Sequence, residues 1–225
     1  LAFAREGARV ALVYKKLPRS FDPGKTDRNG VDRYFAANAG GAETVEKQLR
    51  AMGAEYLTLE SDISDEMAVK EIYASVARRY GRVDILVNNA ADGDMDGIDT
   101  IETITQAVID DTFAVNVRGS LLMIREMIRC RADAGRIINI SSMWGQVGAS
   151  CEVHYSVTKA ALIGLTKALA KEVGPSGVRV NCVTPGVIDT DMNAQLSADD
   201  RAALADETPL GRIGSAEEVA QTIFF

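Results

Sequence analysis

The sequence predicts an α/β fold in which a doubly wound parallel sheet lies between two layers of helices. Five short runs rich in Val, Ile and Leu lack clean polar alternation, which is typical of strands buried on both faces. Helical patterns separate these runs, and such strand–helix alternation favours an open sheet in a three-layer arrangement. The 225 residues show no internal repeat and no linker, so we expect a single domain over 1–225.

The individual elements follow from local pattern. Apolar runs predict strands at 8–14, 54–60, 83–89, 135–141 and 177–183. Apolar residues at the helical period predict helices at 42–52, 65–80, roughly 105–130 and 155–173. Segment 15–41 carries two prolines, four glycines and many charges. It exceeds the roughly 2–6 residues of a usual strand–helix connection, so we predict a long loop insertion there.

Both ends of the sequence resemble the interior of an element. The opening LAFAREG is typical of the last turns of a helix that Gly7 closes. The closing AEEVAQTIFF predicts a helix without an end signal. We therefore expect both ends to be truncated, with the first strand of the sheet lying before residue 1.

Composition and charge restrict the class of protein. Hydrophobic residues make up 47% and charged residues 25%, which indicates a soluble globular chain. The net charge of -7 argues against a nucleic-acid partner, and no apolar run approaches the roughly 18 residues of a membrane span. Three scattered cysteines and one histidine, His154, predict no metal site and favour a reducing, cytoplasmic location.

Tyr155 and Lys159 are four residues apart and therefore share one face of the predicted helix. A positive charge about 4 Å from a phenol favours the phenolate by up to roughly 4 kcal/mol at an effective dielectric constant of 20. That corresponds to up to roughly three pKa units before desolvation is subtracted. A surface tyrosine beside a surface lysine has the same spacing, so the pair alone does not establish acid–base chemistry.

Polar and small residues follow three of the predicted strands. Ser142 lies one residue after the strand at 135–141 and 13 residues before Tyr155, so a loop could bring its hydroxyl over the first helical turn. Asn88 begins NNAA at another strand end, and Pro185 begins PGVIDT at a third. Because parallel sheets bind ligands at the carboxyl ends of their strands, these segments predict a common site.

In this order and spacing, NNAA, Asn116, Ser142, YSVTK and PGVIDT resemble the short-chain dehydrogenase/reductase family. The resemblance covers nearly the whole chain except 15–41. It implies a Rossmann-like fold and NAD(P)-dependent hydride transfer between nicotinamide and a secondary alcohol or ketone. TPLGRIGSAEEVA is similar to endings of 3-oxoacyl-(acyl-carrier-protein) reductases and of sugar or alcohol dehydrogenases. The family usually forms homodimers or homotetramers.

The resemblance also implies roles for particular residues. Tyr155 matches the acid/base, and Lys159 matches the lysine that lowers the phenol pKa and holds the nicotinamide ribose. Ser142 matches the serine that polarises the substrate oxygen, and Asn116 completes a proton relay. The positions matching cofactor contacts are Asp62, Ile63, Asn89, Ala90, Tyr155, Lys159, Pro185, Gly186, Val187, Ile188 and Thr190. The expected substrate-pocket residues are Ser142, Met143, Trp144, Gln146 and Glu152, under a lid at 189–210.

The cofactor is expected to be NADP(H), with NAD(H) possible. Tyr14 stands where an acid would accept a bond from the ribose 2′-hydroxyl of NAD, and Lys15 and Lys16 could pair with a 2′-phosphate. The glycine-rich phosphate turn of the family would precede this sequence. A non-catalytic binding or scaffold protein on the same fold is therefore the alternative from another class, and a sugar or polyol dehydrogenase is the alternative enzyme.

Overall fold

The structure is a computed structural model that describes residues 1–17, 20–26, 30–93, 100–130, 134–194 and 196–225, apart from the side chains of Val31 and Asn38. The chain folds into two compact units. The terminal unit combines Leu1–Glu60 with Gly186–Phe225, and the central unit is Ser61–Pro185. Helices alternate with parallel strands, so the fold is of the predicted doubly wound α/β type. The expectation of a single domain stays a prediction.

The elements match the predicted strands and most of the predicted helices. The α-helices are α1 Ala2–Arg5, α2 Val31–Ala39, α3 Glu43–Ala51, α4 Glu66–Tyr80, α5 Gln106–Phe113, α6 Ser120–Cys130, α7 Trp144–Val147, α8 Val153–Val173, α9 Ala198–Glu207 and α10 Ala216–Phe224. The strands are β1 Val10–Tyr14, β2 Tyr56–Glu60, β3 Ile85–Asn88, β4 Gly135–Ile140, β5 Val178–Val183, β6 Ile188–Asp189 and β7 Gly214–Ser215. Each of β1 to β5 lies within the run that predicts it.

The terminal unit contains two parallel strand pairs. β1 pairs with β2, from Val10 opposite Tyr56 to Tyr14 opposite Glu60, and the short β6 pairs with β7. α1 lies against α10, where the rings of Phe3 and Phe224 meet edge-on with centroids 5.4 Å apart. Gly7 follows α1 with a φ of 81°, a left-handed conformation suited to glycine, as the sequence predicts.

The central unit is built on the parallel sheet β3–β4–β5. Within the middle strand, β4, every residue is buried except Arg136, which confirms the prediction of a strand covered on both faces. Fully buried Ile137, Met127 and Val69 belong to its core. α4 begins where the Asp65 carboxylate accepts a hydrogen bond from the Ala68 N–H at 2.8 Å, an N-cap. All three strands end at one edge of this sheet, which places the polar segments that follow them together.

The predicted loop at 15–41 is partly wrong, because α2 forms within it, preceded by a 3₁₀ turn at Pro23–Lys25. Glycines and prolines concentrate in the first half of the segment, whereas residues 31–39 contain neither. The Arg33 Nε donates to the Asp191 carboxylate at 3.0 Å, joining α2 to the 3₁₀ turn Asp191–Asn193. The insertion therefore holds a helix that is tied to the predicted lid segment.

The predicted helix at 105–130 is also not uniform. It consists of α5, a π-helical segment at Ala114–Gly119, and α6. A Cβ on Gly119 would stand 2.9 Å from the side chain of Ile63, so the segment passes close to the end of the turn after β2. Among the described residues, no helix is both long and apolar enough to cross a membrane.

Candidate active site

Ser142 is held at the carboxyl edge of the central sheet by an extension of the strand ladder. The Ser141 N–H donates to Val183 O at 2.8 Å, and the Met143 N–H donates to Pro185 O at 2.9 Å. Ser142 lies between these two bonds and is buried. Its Oγ accepts a hydrogen bond from the Trp144 N–H at 3.2 Å, at the start of α7. The hydroxyl hydrogen of Ser142 can therefore be donated elsewhere.

Lys159 is fixed to the same strand end by two contacts. Its Nζ donates to Ile140 O at 2.8 Å, and the Ser141 hydroxyl donates to the Lys159 carbonyl oxygen at 2.6 Å. Burial lowers the pKa of the Lys159 ammonium to about 8, although the thiol of Cys182 opposes that shift. The side chain is only 3% exposed, so the structure holds a cation in a site of low polarity.

Tyr155 lies one helical turn before Lys159. The Lys159 Nζ stands 5.4 Å from the centre of the phenol ring, and the Trp144 ring meets Tyr155 edge-on at 6.3 Å between centroids. Trp144 thus contacts both Ser142 and Tyr155. The predicted lowering of the phenol pKa is wrong for this arrangement: burial, followed by the negative charge of Glu152, raises the pKa of Tyr155 to about 12. The Lys159 ammonium bonds to Ile140 O, and desolvation of the phenol is the largest effect on the pKa of Tyr155.

Asn116 is almost completely buried within the π-helical segment, where it clamps the loop after β3. Its Oδ1 accepts from the Asp92 N–H at 2.7 Å, while its Nδ2 donates to Asp92 O at 2.8 Å. The same Nδ2 donates to the Thr158 hydroxyl at 3.0 Å, and Thr158 in turn donates to Tyr155 O at 2.8 Å. The structure therefore shows Asn116 bonded to both the loop after β3 and α8, and its proton-relay role stays a prediction.

Two supporting features were not predicted from the sequence. Thr158 links Asn116 to α8, and its place inside YSVTK is the signal that could have identified it. A chain of amides also crosses the sheet, because Asn88 Nδ2 donates to Asn139 Oδ1 and Asn139 Nδ2 donates to Thr166 Oγ1, both at 2.9 Å. These buried pairs lock β3, β4 and α8 into one frame.

Gly145 permits a close approach between α7 and α8. A Cβ built at this position would lie 2.7 Å from the carbonyl carbon of Lys159 and 2.8 Å from Ala160 N. Both are backbone atoms of α8 and cannot rotate away. The glycine therefore sets the distance between the helix that contains Trp144 and the helix that contains Tyr155 and Lys159.

The predicted cofactor residues fall into both units. In the central unit, the Asp62 carboxylate accepts from Ser64 N at 2.8 Å, and Ile63 packs against Gly119. Asn89 and Ala90 follow β3 and are exposed. The remaining central-unit positions are Tyr155, Lys159 and Pro185. The predicted cofactor residues in the terminal unit are Tyr14, Lys15, Gly186, Val187, Ile188 and Thr190.

The terminal-unit positions have their own local geometry. Tyr14 ends β1 opposite Glu60, and Gly41 packs so closely that a Cβ there would lie 3.0 Å from the Tyr14 ring. Lys16 Nζ pairs with the Glu60 carboxylate at 3.6 Å. The Val187 carbonyl accepts from Gly214 N at 3.1 Å, which fixes the segment after Gly186.

The predicted substrate residues lie around α7 and the start of α8. Met143 is exposed, and the Gln146 amide donates to the Thr184 hydroxyl at 3.0 Å. Glu152 stands directly before α8, and its charge acts on the Tyr155 phenol. Contact of any of these with substrate stays a prediction, as does the lid at 189–210, which contains α9.

A test of the buried cation follows from the lowered pKa of Lys159. Between about pH 8 and 10.5 the unfolded chain binds the proton that the folded chain has released, so the free energy of unfolding gains a contribution that rises with pH. The total contribution is roughly 3 kcal/mol at about 1.4 kcal/mol per pKa unit. Urea unfolding across this range should show the rise in the wild type and lose it in Lys159→Met. Lys167→Met, on the exposed face of α8, is the control, and an unchanged profile in Lys159→Met would contradict the expectation.

Comparison with known proteins shows extended similarity. The family model described as enoyl-(acyl carrier protein) reductase matches residues 27–225. The chain is 37% identical over 195 residues to the 3-oxoacyl-(acyl-carrier-protein) reductase FabG of Pseudomonas aeruginosa, covering 84% of this chain and 76% of that protein. Identity to the FabG of Aquifex aeolicus is 42% over 184 residues, covering 79% of this chain and 69% of that protein.

Solved structures agree with these relatives. A short-chain dehydrogenase from Burkholderia cenocepacia in complex with NADP is 31% identical, with a TM-score of 0.81 over 100% of this chain and 82% of that one. A short-chain dehydrogenase/reductase double mutant from Serratia marcescens is also 31% identical, with a TM-score of 0.82 over 99% of this chain and 81% of that one. The matched family model, the relatives and the predicted motifs lead to one conclusion: the chain belongs to the short-chain dehydrogenase/reductase family, whose members are NAD(P)-dependent oxidoreductases.

Proposed function

We propose that the protein is an NADP(H)-dependent reductase that interconverts a ketone and a secondary alcohol, with a 3-oxoacyl thioester as its substrate class. The observation that carries this proposal is the joint anchoring of Ser142, Tyr155 and Lys159 at one sheet edge, through Ile140 and Trp144. The similarity to two FabG reductases supports the substrate class.

Tyr155 acts as the proton donor in the reductive direction. Because burial raises the pKa of Tyr155 to about 12, the phenol is protonated at neutral pH and can give its proton to a substrate carbonyl oxygen. The Ser142 hydroxyl, whose oxygen already accepts from Trp144 N, donates a second hydrogen bond to that oxygen. The nicotinamide cofactor supplies the hydride when it is bound.

Lys159 has a pKa of about 8 and is therefore mainly cationic at neutral pH. We propose that Lys159 holds the ribose hydroxyls. One N–H of its ammonium bonds to Ile140 O, so the other N–H groups would make these bonds. Its positive charge beside the ring also favours the phenolate more than a neutral group would. The alcohol-oxidising direction, in which the phenol must first lose its proton, thus depends more strongly on this lysine than the reductive one.

Each unit contains residues that fit a part of an NADP nucleotide. The Asp62 carboxylate offers acceptors for an adenine amino group, and Asn89 and Ala90 leave an exposed, small-residue surface after β3. At the end of β1, Tyr14 offers no carboxylate to repel a 2′-phosphate, and Lys15 supplies a positive charge. The solved relative that contains NADP supports the same choice.

Reversing the charge of Lys15 tests the cofactor preference. Lys15→Glu is expected to weaken NADPH binding by about ten-fold or more and to leave NADH binding nearly unchanged, because only NADPH brings a 2′-phosphate. Fluorescence titration of the full-length protein with both nucleotides measures this. Lys25→Glu is the control, since it makes the same charge change at another lysine of the insertion, one whose ammonium pairs with Asp22 at 3.3 Å. An equal loss for both nucleotides would contradict the assignment.

The proposed activity is tested with a substrate panel. The full-length protein, NADPH and a series of 3-oxoacyl thioesters, simple ketones and sugars are followed by NADPH absorbance. Turnover of the thioesters supports the proposal, whereas preferential turnover of sugars or polyols assigns the other enzyme class. Saturable NADPH binding without turnover of any compound favours the scaffold alternative.

We also propose that the protein assembles with a second copy of itself and works in the cytoplasm. Phe113 on α5, Leu121 on α6 and Val157 on α8 are apolar and between 36% and 49% exposed, which supports pairing through these helices. The three cysteines are free, as a reducing compartment would keep them. Light scattering of the full-length protein should give a dimer or tetramer, and a monomer at micromolar concentration would contradict the assembly.

A further inference from the structure

A basic pocket lies at the amino ends of β3, β4 and β5, in the central unit. It has a volume of about 280 Å³ and is lined by Arg82, Asp84, Gly135, Arg136, Gly177 and Arg179, together with Ala134. β4 has Arg136 near its first residue and Ser142 beyond its last, and six strand residues span roughly 20 Å. The basic pocket is therefore at the opposite edge of the sheet from the candidate active site.

The charges of the basic pocket are unbalanced. Asp84 Oδ1 accepts from Arg82 Nε at 2.8 Å, and among the lining residues that the structure describes one carboxylate accompanies three guanidinium groups. Within the described ranges, neither Arg136 nor Arg179 forms an ion pair. This concentration of positive charge occurs in a chain whose net charge is -7.

Strand register brings two of these arginines together. Arg136 and Arg179 are direct partners across the parallel pair β4–β5. Like charges on directly neighbouring strand residues are destabilising. An anion bound between them would remove that repulsion, whereas an empty pocket leaves it unrelieved.

The size and donors of the basic pocket indicate the class of ligand. Guanidinium groups bind phosphate oxygens through paired, charge-assisted hydrogen bonds. Pockets for drug-sized ligands usually measure about 300–1,000 Å³, so this volume suits a smaller ion.

We propose that the basic pocket binds a small phosphate-class polyanion through Arg136 and Arg179, with Arg82 held in place by Asp84. The site takes either free phosphate or pyrophosphate, or a phosphate group carried by a small organic molecule. It lies at the opposite edge of the central sheet from Ser142 and does not depend on the proposed function.

Calorimetric titration of the full-length protein with inorganic pyrophosphate, and separately with glycerol 3-phosphate, tests the proposal. We expect saturable binding of at least one, weakened ten-fold or more in Arg136→Ala/Arg179→Ala. The control is Arg78→Ala, an arginine of α4 that pairs with Glu71 at 2.6 Å outside the pocket. The titrations are repeated with saturating NADPH, which should leave anion binding unchanged.

Two further readouts separate a built site from general charge attraction. Arg136→Lys/Arg179→Lys keeps the charge but removes the guanidinium fork, so binding should weaken clearly relative to the wild type. Without anion, Arg136→Ala/Arg179→Ala should unfold at no lower urea concentration than the wild type, because it removes the repulsion. Absence of binding by both anions, equal binding in the alanine variant, or loss of binding in NADPH would overturn the proposal.

Discussion

Tyr155→Phe should lower kcat for ketone reduction by roughly 10²- to 10⁴-fold, the range for loss of a positioned general acid. The substitution removes only the phenol oxygen. The ring still meets Trp144 at 6.3 Å and still lies beside Gly93, where an added Cβ would be 3.8 Å from it. The fold and the affinity for NADPH should therefore be retained, and the loss should appear in kcat.

Steady-state kinetics with NADPH and a 3-oxoacyl thioester measure this loss, and circular dichroism with urea unfolding verifies the fold. Tyr56→Phe is the matched control. The Tyr56 hydroxyl accepts from Arg50 at 3.1 Å on the surface of the terminal unit, so its removal should leave kcat unchanged. Full activity of Tyr155→Phe would contradict the acid role, even if the protein binds NADPH.

The framework of the fold was predictable because its signals are local. The run at 135–141 contains Ile137, Ile138 and Ile140, and β4 within it is buried except at Arg136. α2 was not predicted, because the prolines and glycines of 15–26 and 40–41 suggested a loop for the whole segment. The π-helical segment packs Gly119 against Ile63, 56 residues earlier, and no local pattern reveals that contact.

The candidate site was predictable in its residues but not in its electrostatics. The spacing of Tyr155 and Lys159 does place them beside each other on α8. The pKa of Tyr155 moves upward rather than downward, because burial desolvates the phenol and because the negative charge of Glu152 disfavours the phenolate. The clamp from Asn116 to the Asp92 backbone likewise joins residues 24 positions apart, and only the folded structure shows it.

Gly145→Ala should both destabilise the protein and impair the site, since the added methyl group meets backbone that cannot yield. The three nearest atoms are Lys159 C at 2.7 Å, Ala160 N at 2.8 Å and Lys159 O at 2.9 Å. Relief requires α7 to move away from α8, and overpacking of this kind costs about 1–3 kcal/mol. The movement would displace Trp144 from Tyr155, so kcat/KM should fall by ten-fold or more.

Gly164→Ala provides a matched control on α8 itself. Its Cβ would meet no atom within 4 Å, and glycine in a helix interior is about 1 kcal/mol less favourable than alanine. In urea unfolding, Gly164→Ala should therefore raise the protein's free energy of unfolding, whereas the same chemical change in Gly145→Ala should lower it. Activity should persist in Gly164→Ala and fall in Gly145→Ala. If Gly145→Ala were as stable and active as the wild type, α7 would not set the geometry of Tyr155 and Lys159.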